Sequence, residues 1–84
     1  MPERYDLREM QYGPDPMAFF EDAFGRISDE LSAGQEATII IDPENMNEPV
    51  EQIANLAETT GLAVIRARET ASDEAIIEVR KRAA

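Results

Sequence analysis

The sequence predicts one small α+β domain, a two-layer sandwich in which a four-stranded mixed sheet carries two helices on one face. Three observations lead to this prediction. The chain has 84 residues, enough for a single domain over residues 1–84 but too few for two. Its apolar residues alternate between strand-like and helix-like spacing along the chain. Turn residues separate these stretches in the order β-α-β-α-β-β, and parallel crossovers of one hand put both helices on the same face.

The first strand is predicted over residues 4–10, where Tyr5 and Leu7 alternate with polar side chains. The first helix is predicted to begin at Pro16, because proline at that position leaves no orphaned N–H and Asp15 is suited to cap the helix. An apolar stripe at helical spacing follows, formed by Met17, Phe20, Phe24, Ile27 and Leu31.

The middle of the chain repeats this plan. Residues 37–41 form a stretch that is apolar except at Thr38 and is rich in β-branched side chains, which predicts a strand covered on at least one side. A second helix is expected to begin within residues 44–48, with Pro49 tolerated in its first turn. Its expected buried stripe is Val50, Ile53, Ala54 and Ala57. Gly34 and Gly61 are expected to end the two helices as left-handed C′ residues.

The last two strands are predicted over residues 62–69 and 74–82, joined by a turn at residues 70–73. Alternation assigns six residues to the helix side: Ala63, Ile65, Ala67, Ala75, Ile77 and Val79. The same alternation assigns five residues to the open side: Arg66, Arg68, Ile76, Glu78 and Arg80.

The composition excludes several classes of chemistry. The chain has no cysteine and no histidine, so disulfides, persulfides, zinc–thiolate sites and Ser-His-Asp relays are excluded. Its carboxylates fall on polar faces and in loops, and no pair stands out as an acid and a base. We therefore expect no catalytic residues, no metal site, no cofactor and no enzyme activity.

The charge is strongly negative, with a formal value of −10 and a sequence pI near 4.2. Of the eight basic residues only Lys81 is a lysine. This composition suits a salt-rich cytoplasm, and a GC-rich genome that favours arginine codons is the alternative explanation. No segment has the apolar length of a leader or a membrane span, so we expect a cytoplasmic protein without a membrane partner.

Residues near the start of the chain resemble the signature of the TusA-like (SirA/TusA) sulfur-carrier family, D-x-x-G-L-x-C-P-x-P. The match begins at Asp6, with Glu9 in place of the glycine and Met10 in place of the leucine. Its end is matched, except at the cysteine, by Gly13, Pro14, Asp15 and Pro16. Later prolines of the family correspond to Pro43, after Asp42, and to Pro49.

The resemblance implies the same β-α-β-α-β-β fold but not the same chemistry. The family carries a persulfide on the cysteine, and here either Gly13 or Tyr12 stands at that position. The leading hypothesis is therefore a non-catalytic protein-binding or adaptor module, linked to sulfur trafficking or regulation. The alternative is a component of a sulfur-transfer relay whose thiol comes from another chain.

Two surfaces are candidate sites. Backbone N–H groups at the turn formed by Tyr12, Gly13, Pro14, Asp15 and Pro16 form either a modest anion site or simply a good turn. The last hairpin carries a candidate partner or anion surface formed by Arg66, Arg68 and Arg80. Nucleic acid is a disfavoured partner for such an acidic chain, and cross-strand pairing with carboxylates is the simpler explanation for these arginines.

Three smaller features leave alternatives open. The oxygen-rich residues 42–48 suggest a divalent cation, but helix capping by Asn45 or Asn47 explains them equally well. Phe19 lies off the main helical stripe and is either an exposed aromatic of a partner surface or the edge of the core. Ile76, expected on the open face, raises the same question, and a homodimer through that face or through an edge strand is conceivable.

Overall fold

The computed structural model describes residues 3–46 and 48–83, so Met1, Pro2, Asn47 and Ala84 lie outside the described residues. Four strands and three helices occur within the described ranges. The strands are β1 (Glu3–Asp6), β2 (Glu36–Ile41), β3 (Leu62–Ala71) and β4 (Glu74–Lys81). The helices are α1 (Pro16–Glu30), α2 (Pro43–Met46) and α3 (Val50–Glu58).

The strands form one mixed sheet in the order β1-β2-β4-β3. β1 pairs parallel with β2, and β4 pairs antiparallel with both β2 and β3. Because β1, β2 and β3 run in the same direction, the chain crosses over twice, and α1 and α3 cover the same face. The predicted two-layer α+β sandwich is therefore confirmed. We call the covered face the helix side and the other face the open face.

The hydrophobic core lies between the helices and the sheet. The predicted stripe of α1 is buried except at Met17, which is half-buried. The predicted stripe of α3 is buried throughout. The largest fully buried side chains come from both layers: Phe20, Phe24, Ile39, Ile41, Met46, Ile53, Leu62, Ile77 and Val79. Since each such side chain contributes about 1.5–3 kcal/mol on burial, this shared core fixes the helices on the sheet.

The third strand departs from the predicted alternation. A register shift follows Val64 and leaves Ile65 as the extra residue of a β-bulge. Val64 pairs with Val79 on the helix side, so its neighbour Ala63 lies on the open face. Ile65 is 50 % exposed. The prediction that Ala63 and Ile65 face the helices is wrong, because the bulge inverts the alternation for the residues before it.

Beyond the bulge the predicted alternation holds. Ala67 pairs with Ile77, and Arg68 pairs with Ile76. In β4 the predicted helix-side residues, Ala75, Ile77 and Val79, are fully buried. The arginines of the last hairpin therefore lie on the open face, as expected.

The first strand is shorter than predicted and ends at Asp6 rather than at residue 10. The Arg8 N–H donates to Asp6 Oδ1 at 3.1 Å. Because of this local hydrogen bond, the chain turns away from β2. The N–H of Met10 then donates to the Leu7 oxygen at 3.3 Å and closes a turn. Local hydrogen bonds thus replace the ladder that the apolar alternation predicted.

Both glycines expected at helix ends have positive φ, but neither is the C′ residue. Leu31, in an extended conformation, is the C-cap of α1, so Gly34 (φ 83°) lies further along the turn. Thr59 is the C-cap of α3, so Gly61 (φ 97°) lies two residues beyond it. The helices therefore end earlier than the glycines predicted.

The predicted second helix is divided into α2 and α3. Asp42 Oδ1 accepts the N–H of Glu44 at 3.0 Å at the start of α2, so Asn45 lies inside this helix and is not its cap. Asn47, the other expected cap, lies outside the described residues. Pro49 is the N-cap of α3 with φ −62° and lies just before the helix instead of in its first turn.

Candidate functional site

The turn over residues 12–16 is anchored by Tyr12, which is only 4 % exposed. Its hydroxyl donates to the Leu7 oxygen at 2.9 Å and accepts the Asp42 N–H at 3.0 Å. Leu7 follows β1 and Asp42 follows β2, so one phenol connects the carboxyl ends of both parallel strands. The Tyr12 hydroxyl is therefore bound within the chain and does not add to the anion site considered for this turn.

The ring of Tyr12 completes an aromatic cluster at the N-terminal end of α1. Its centroid lies 5.0 Å from that of Phe19 and 4.7 Å from that of Phe20. Burial raises the pKa of the Tyr12 hydroxyl above its ordinary value. This position therefore carries a neutral, packed side chain that supports the turn.

The remaining residues of the turn are on the surface. Gly13 has φ +78°, and a Cβ built on it would meet nothing within 4 Å. Pro14 and Asp15 are exposed. Asp15 Oδ1 accepts the Ala18 N–H at 3.2 Å, and Pro16 opens the helix, so the predicted capping is confirmed. The turn is thus a well-capped helix start with an exposed tip.

The arginines of the last hairpin are divided between ion pairs and solvent. Arg66 Nε lies 2.9 Å from Glu78 Oε2, and Arg80 Nη2 lies 2.9 Å from Glu36 Oε2. Arg68 is exposed and, among the described residues, has no carboxylate within salt-bridge distance. The structure therefore brings the predicted surface together, with two of its three cations already neutralised by cross-strand neighbours.

A second ionic group on the open face was not anticipated from the sequence. Arg8 Nη2 lies 2.7 Å from Asp6 Oδ2, and its Nη1 lies 3.0 Å from Glu74 Oε2. The hydrogen bonds from Arg8 lower the pKa of Asp6 to about 2. Arg8 thereby spans β2, whose Ile40 is only 4 % exposed although it lies on the open face. Partners 66 residues apart leave no local signal in the sequence.

The charges are divided unequally between the two sides of the molecule. The open face carries five basic and four acidic residues: Arg4, Arg8, Arg66, Arg68, Arg80, Asp6, Glu36, Glu74 and Glu78. The chain contains eight basic and 18 acidic residues, so the remaining helices, loops and strand positions carry three basic against fourteen acidic residues. The negative charge is therefore concentrated away from the open face.

An apolar groove of about 220 Å³ runs between β1 and α1. Its apolar lining comes from Tyr5, Leu7, Met10, Phe19, Ala23 and Ile27. Met10 is 47 % exposed, one of the two large hydrophobic side chains exposed in the described part of the chain. Phe19 is half-buried and both touches the core and lines the groove, so the two interpretations of this residue are not exclusive.

Charged residues form the rim of this groove. Arg26 Nε lies 3.1 Å from Asp22 Oδ2, one helical turn away on α1. The Tyr5 hydroxyl donates to Glu30 Oε2 at 2.9 Å and links β1 to the end of α1. The groove therefore has an apolar floor, one ion-paired arginine and a carboxylate at each end of its helical wall.

Within residues 3–46 and 48–83, no group of three or more carboxylate side chains is arranged to hold a metal ion. In the same ranges no helix has the length and apolar character needed to cross a membrane.

Comparisons with known proteins bear on the fold. No protein-family model matches the chain, and no curated protein matches it. The chain is similar to the solution structure of HP1264 from Helicobacter pylori, with a TM-score of 0.62 and 21 % sequence identity. The match covers 96 % of this chain and 99 % of that one. At this identity the likeness concerns the fold: a natural domain of almost the same extent has a similar chain path.

Proposed function

We propose that this chain is a non-catalytic, TusA-like protein-binding or adaptor module. The observation that carries the proposal is the apolar groove between β1 and α1, where Met10 is 47 % exposed beside the half-buried Phe19. Apolar surface framed by charged residues is typical of protein interaction sites. A methionine suits such a site, because its unbranched thioether adapts to different partners.

The chemistry of the motif position supports binding over sulfur transfer. Persulfide transfer needs a thiolate at the tip of the first helix, and the chain contains no cysteine. Tyr12, one of the two residues that match the cysteine position, has its hydroxyl in two intramolecular hydrogen bonds. A role that uses surface contacts is compatible with both facts.

Two features support the kinship with TusA-like proteins. The strand order along the chain is the one the resemblance implies, with α2 as a short addition before α3. Asp15 and Pro16 cap and open α1 at the position of the family's x-P pair. Sulfur trafficking, or the regulation of a partner, is accordingly the proposed setting.

The alternative function is a component of a sulfur-transfer relay whose thiol comes from another chain. The observation in its favour is the exposed tip formed by Gly13, Pro14 and Asp15 at the start of α1. Backbone N–H groups at a helix start favour anions. A partner protein would carry the persulfide anion, and the anion would bind at this tip. The present chain would then need no cysteine of its own.

Affinity purification from an extract of the source cells in molar potassium chloride tests the proposal. We expect the wild-type chain to retain a protein in near-stoichiometric amount. The variant Ala23→Gln fills the groove without changing charge, and Ala18→Gln alters the exposed face of the same helix. Loss of the protein with Ala23→Gln, but not with Ala18→Gln, would assign binding to the groove.

The identity of the retained protein separates the two functions. A rhodanese-like protein or a cysteine desulfurase would favour the relay, and its absence among retained proteins would contradict the relay. If the wild-type chain retains no protein under these conditions, the binding-module proposal itself fails.

We further propose a setting for this module. The acidic composition suits a salt-rich cytoplasm. Nucleic acid is disfavoured, because the chain has a net charge of −10 and Arg66 and Arg80 are already paired with carboxylates. A homodimer through the open face is a separate hypothesis, and sedimentation equilibrium over a range of concentrations tests it.

A further inference from the structure

We infer that the groove and the free edge of β1 together bind an extended segment of a partner protein, one that alternates large apolar with basic side chains. The inference rests on the proposed protein-binding function and adds the binding mode and the chemistry of the partner. In this mode the segment pairs with β1 as an additional strand, and its alternate side chains enter the groove.

The edge of β1 has backbone groups available for pairing. β1 lies at one edge of the sheet and pairs only with β2 among the described strands. The Leu7 N–H donates to the Ile40 oxygen at 2.8 Å, so odd-numbered residues here point their backbone groups toward β2. The N–H and C=O groups of Arg4 and Asp6 consequently point outward. Both residues are exposed, so a new strand has access to four backbone groups.

The opposite edge of the sheet is protected against such pairing. β3 has two register shifts, one between Val64 and Arg66 and one between Glu69 and Ala71. Bulges are one device that keeps an edge strand from accepting another chain. β1 pairs with β2 through four consecutive residues without a shift. The two edges therefore differ, and β1 is the regular one.

The groove lies directly beside this regular edge. Tyr5 belongs to β1 and lines the groove, whereas Phe19, Ala23 and Ile27 line it from α1. A volume of about 220 Å³ is below the roughly 300–1,000 Å³ of small-molecule sites. It suits the apolar side chains of a peptide better than a cofactor. Side chains of an added strand alternate between the two faces, so every second residue would point toward α1.

Charge complementarity defines the flanking residues of the partner. Asp22 and Glu30 lie on the rim of the groove, and Arg26 is already paired with Asp22. Glu30, at the end of α1, accepts only the neutral Tyr5 hydroxyl among the described contacts, so the rim carries more negative than positive charge. Basic side chains in a partner segment would be attracted to this side of the molecule, and acidic ones would be repelled.

A synthetic peptide tests the inference on the intact chain. The probe is the capped heptapeptide Lys-Leu-Lys-Val-Lys-Leu-Lys, titrated in moderate salt and followed by amide NMR and calorimetry. We expect the amides of Arg4 and Asp6 to shift and to exchange more slowly with solvent, together with shifts of the Met10 methyl group.

Matched peptides separate strand pairing from charge attraction. One control has the same composition with its apolar residues adjacent, and the other two carry N-methyl groups on one or the other set of alternate residues. An added strand uses the N–H groups of only one set, so one N-methylated peptide should bind at least about tenfold more weakly than the other.

Matched variants test the edge and the groove separately. Arg4→Pro removes one outward N–H without touching the ladder to β2, whereas Arg4→Val removes the charge and keeps the N–H. We expect Arg4→Pro to bind the probe about tenfold more weakly and Arg4→Val to bind nearly as well as the wild type. Ala23→Gln should weaken binding, and Ala18→Gln should not. Circular dichroism establishes that each variant is folded.

Three results would overturn the inference: no binding of the probe, equal affinity for both N-methylated peptides, or chemical-shift changes that spare β1 and α1. The proposed function fails by a different result, since it depends on retention of a cellular protein by the wild-type chain. A protein retained equally by wild type and Ala23→Gln would leave the binding module standing and would remove the groove as its site.

Discussion

At the scale of single residues, the Tyr12 hydroxyl is a buried group with two hydrogen bonds to the backbone. It connects the Leu7 carbonyl to the Asp42 N–H and so joins the segments that follow β1 and β2. Both partners lie outside the strands, and the Leu7 oxygen also accepts the Met10 N–H at 3.3 Å, so the Tyr12 hydroxyl completes the hydrogen bonding of this loop. The role of this hydroxyl in the described structure is therefore a structural one.

Replacing Tyr12 by Phe should destabilise the fold by about 1–3 kcal/mol, because two backbone groups lose a hydrogen-bond partner that water replaces poorly at a buried site. Tyr5→Phe is the matched control, since its hydroxyl binds Glu30 at the surface; we expect a loss of about 0.5 kcal/mol or less. Urea denaturation of both variants provides the measurement. Equal losses for the two variants would contradict a special role for Tyr12.

At the scale of elements, the Arg8 side chain links β1 to β4 across β2, which lies between them. Its guanidinium contacts Asp6 on one side and Glu74 on the other. The strand between them, β2, carries Ile40, which is only 4 % exposed although it lies on the open face.

The ion pair between Arg8 and Asp6 makes the stability of the fold depend on pH. Hydrogen bonds from Arg8 lower the pKa of Asp6 from 3.8 to about 2 in the folded chain. A carboxyl with a depressed folded pKa stabilises the fold above its unfolded pKa, and the contribution is lost as the pH falls through the folded pKa. The stability difference between wild type and Asp6→Asn should therefore shrink between about pH 4 and pH 2. Urea denaturation across this range measures it, and a pH-independent difference would contradict the assignment.

At the scale of the whole molecule, the charged residues are distributed unevenly. The open face is nearly balanced in charge, whereas the remaining helices, loops and strand positions carry fourteen of the 18 acidic residues. Repulsion among these carboxylates opposes the compact state and is screened by salt. The molecule should consequently respond to salt more than a domain of balanced charge.

We expect the free energy of unfolding to rise from dilute buffer to molar potassium chloride. A variant with Glu21→Gln and Asp29→Gln, both exposed on α1, should respond less because it has less repulsion to screen. Denaturant titrations at several salt concentrations provide the test. Equal stability in dilute buffer and in molar salt would refute the salt adaptation that the composition suggests.

Most of the fold was predictable because it depends on local patterns. The stripe of α1, the apolar run of β2 and the cap at Asp15 are properties of neighbouring residues, and the structure confirms them. The predictions fail where strand pairing or a side-chain hydrogen bond overrides the local pattern of apolar residues. The bulge at Ile65 reverses the faces on which the preceding residues of β3 lie. The hydrogen bond from the Arg8 N–H to the Asp6 side chain ends β1 early.

The candidate sites were less predictable, for the same reason. Arg66 and Arg80 were expected on the last hairpin, and their location on the open face follows from strand alternation. The groove was not expected, since it brings Met10 and Leu7 beside α1 residues that the sequence assigned to the core or left undecided. No spacing rule identifies a surface formed between two elements.

From the order of the residues alone come the element sequence, the buried stripes, the negative charge and the absence of a thiol. These depend on composition and on contacts between near neighbours. The tertiary structure alone decides that Tyr12 is buried, that Arg8 reaches Glu74 and that a groove opens beside the free edge of β1. Each of these depends on how residues far apart in the chain come together when the two layers pack.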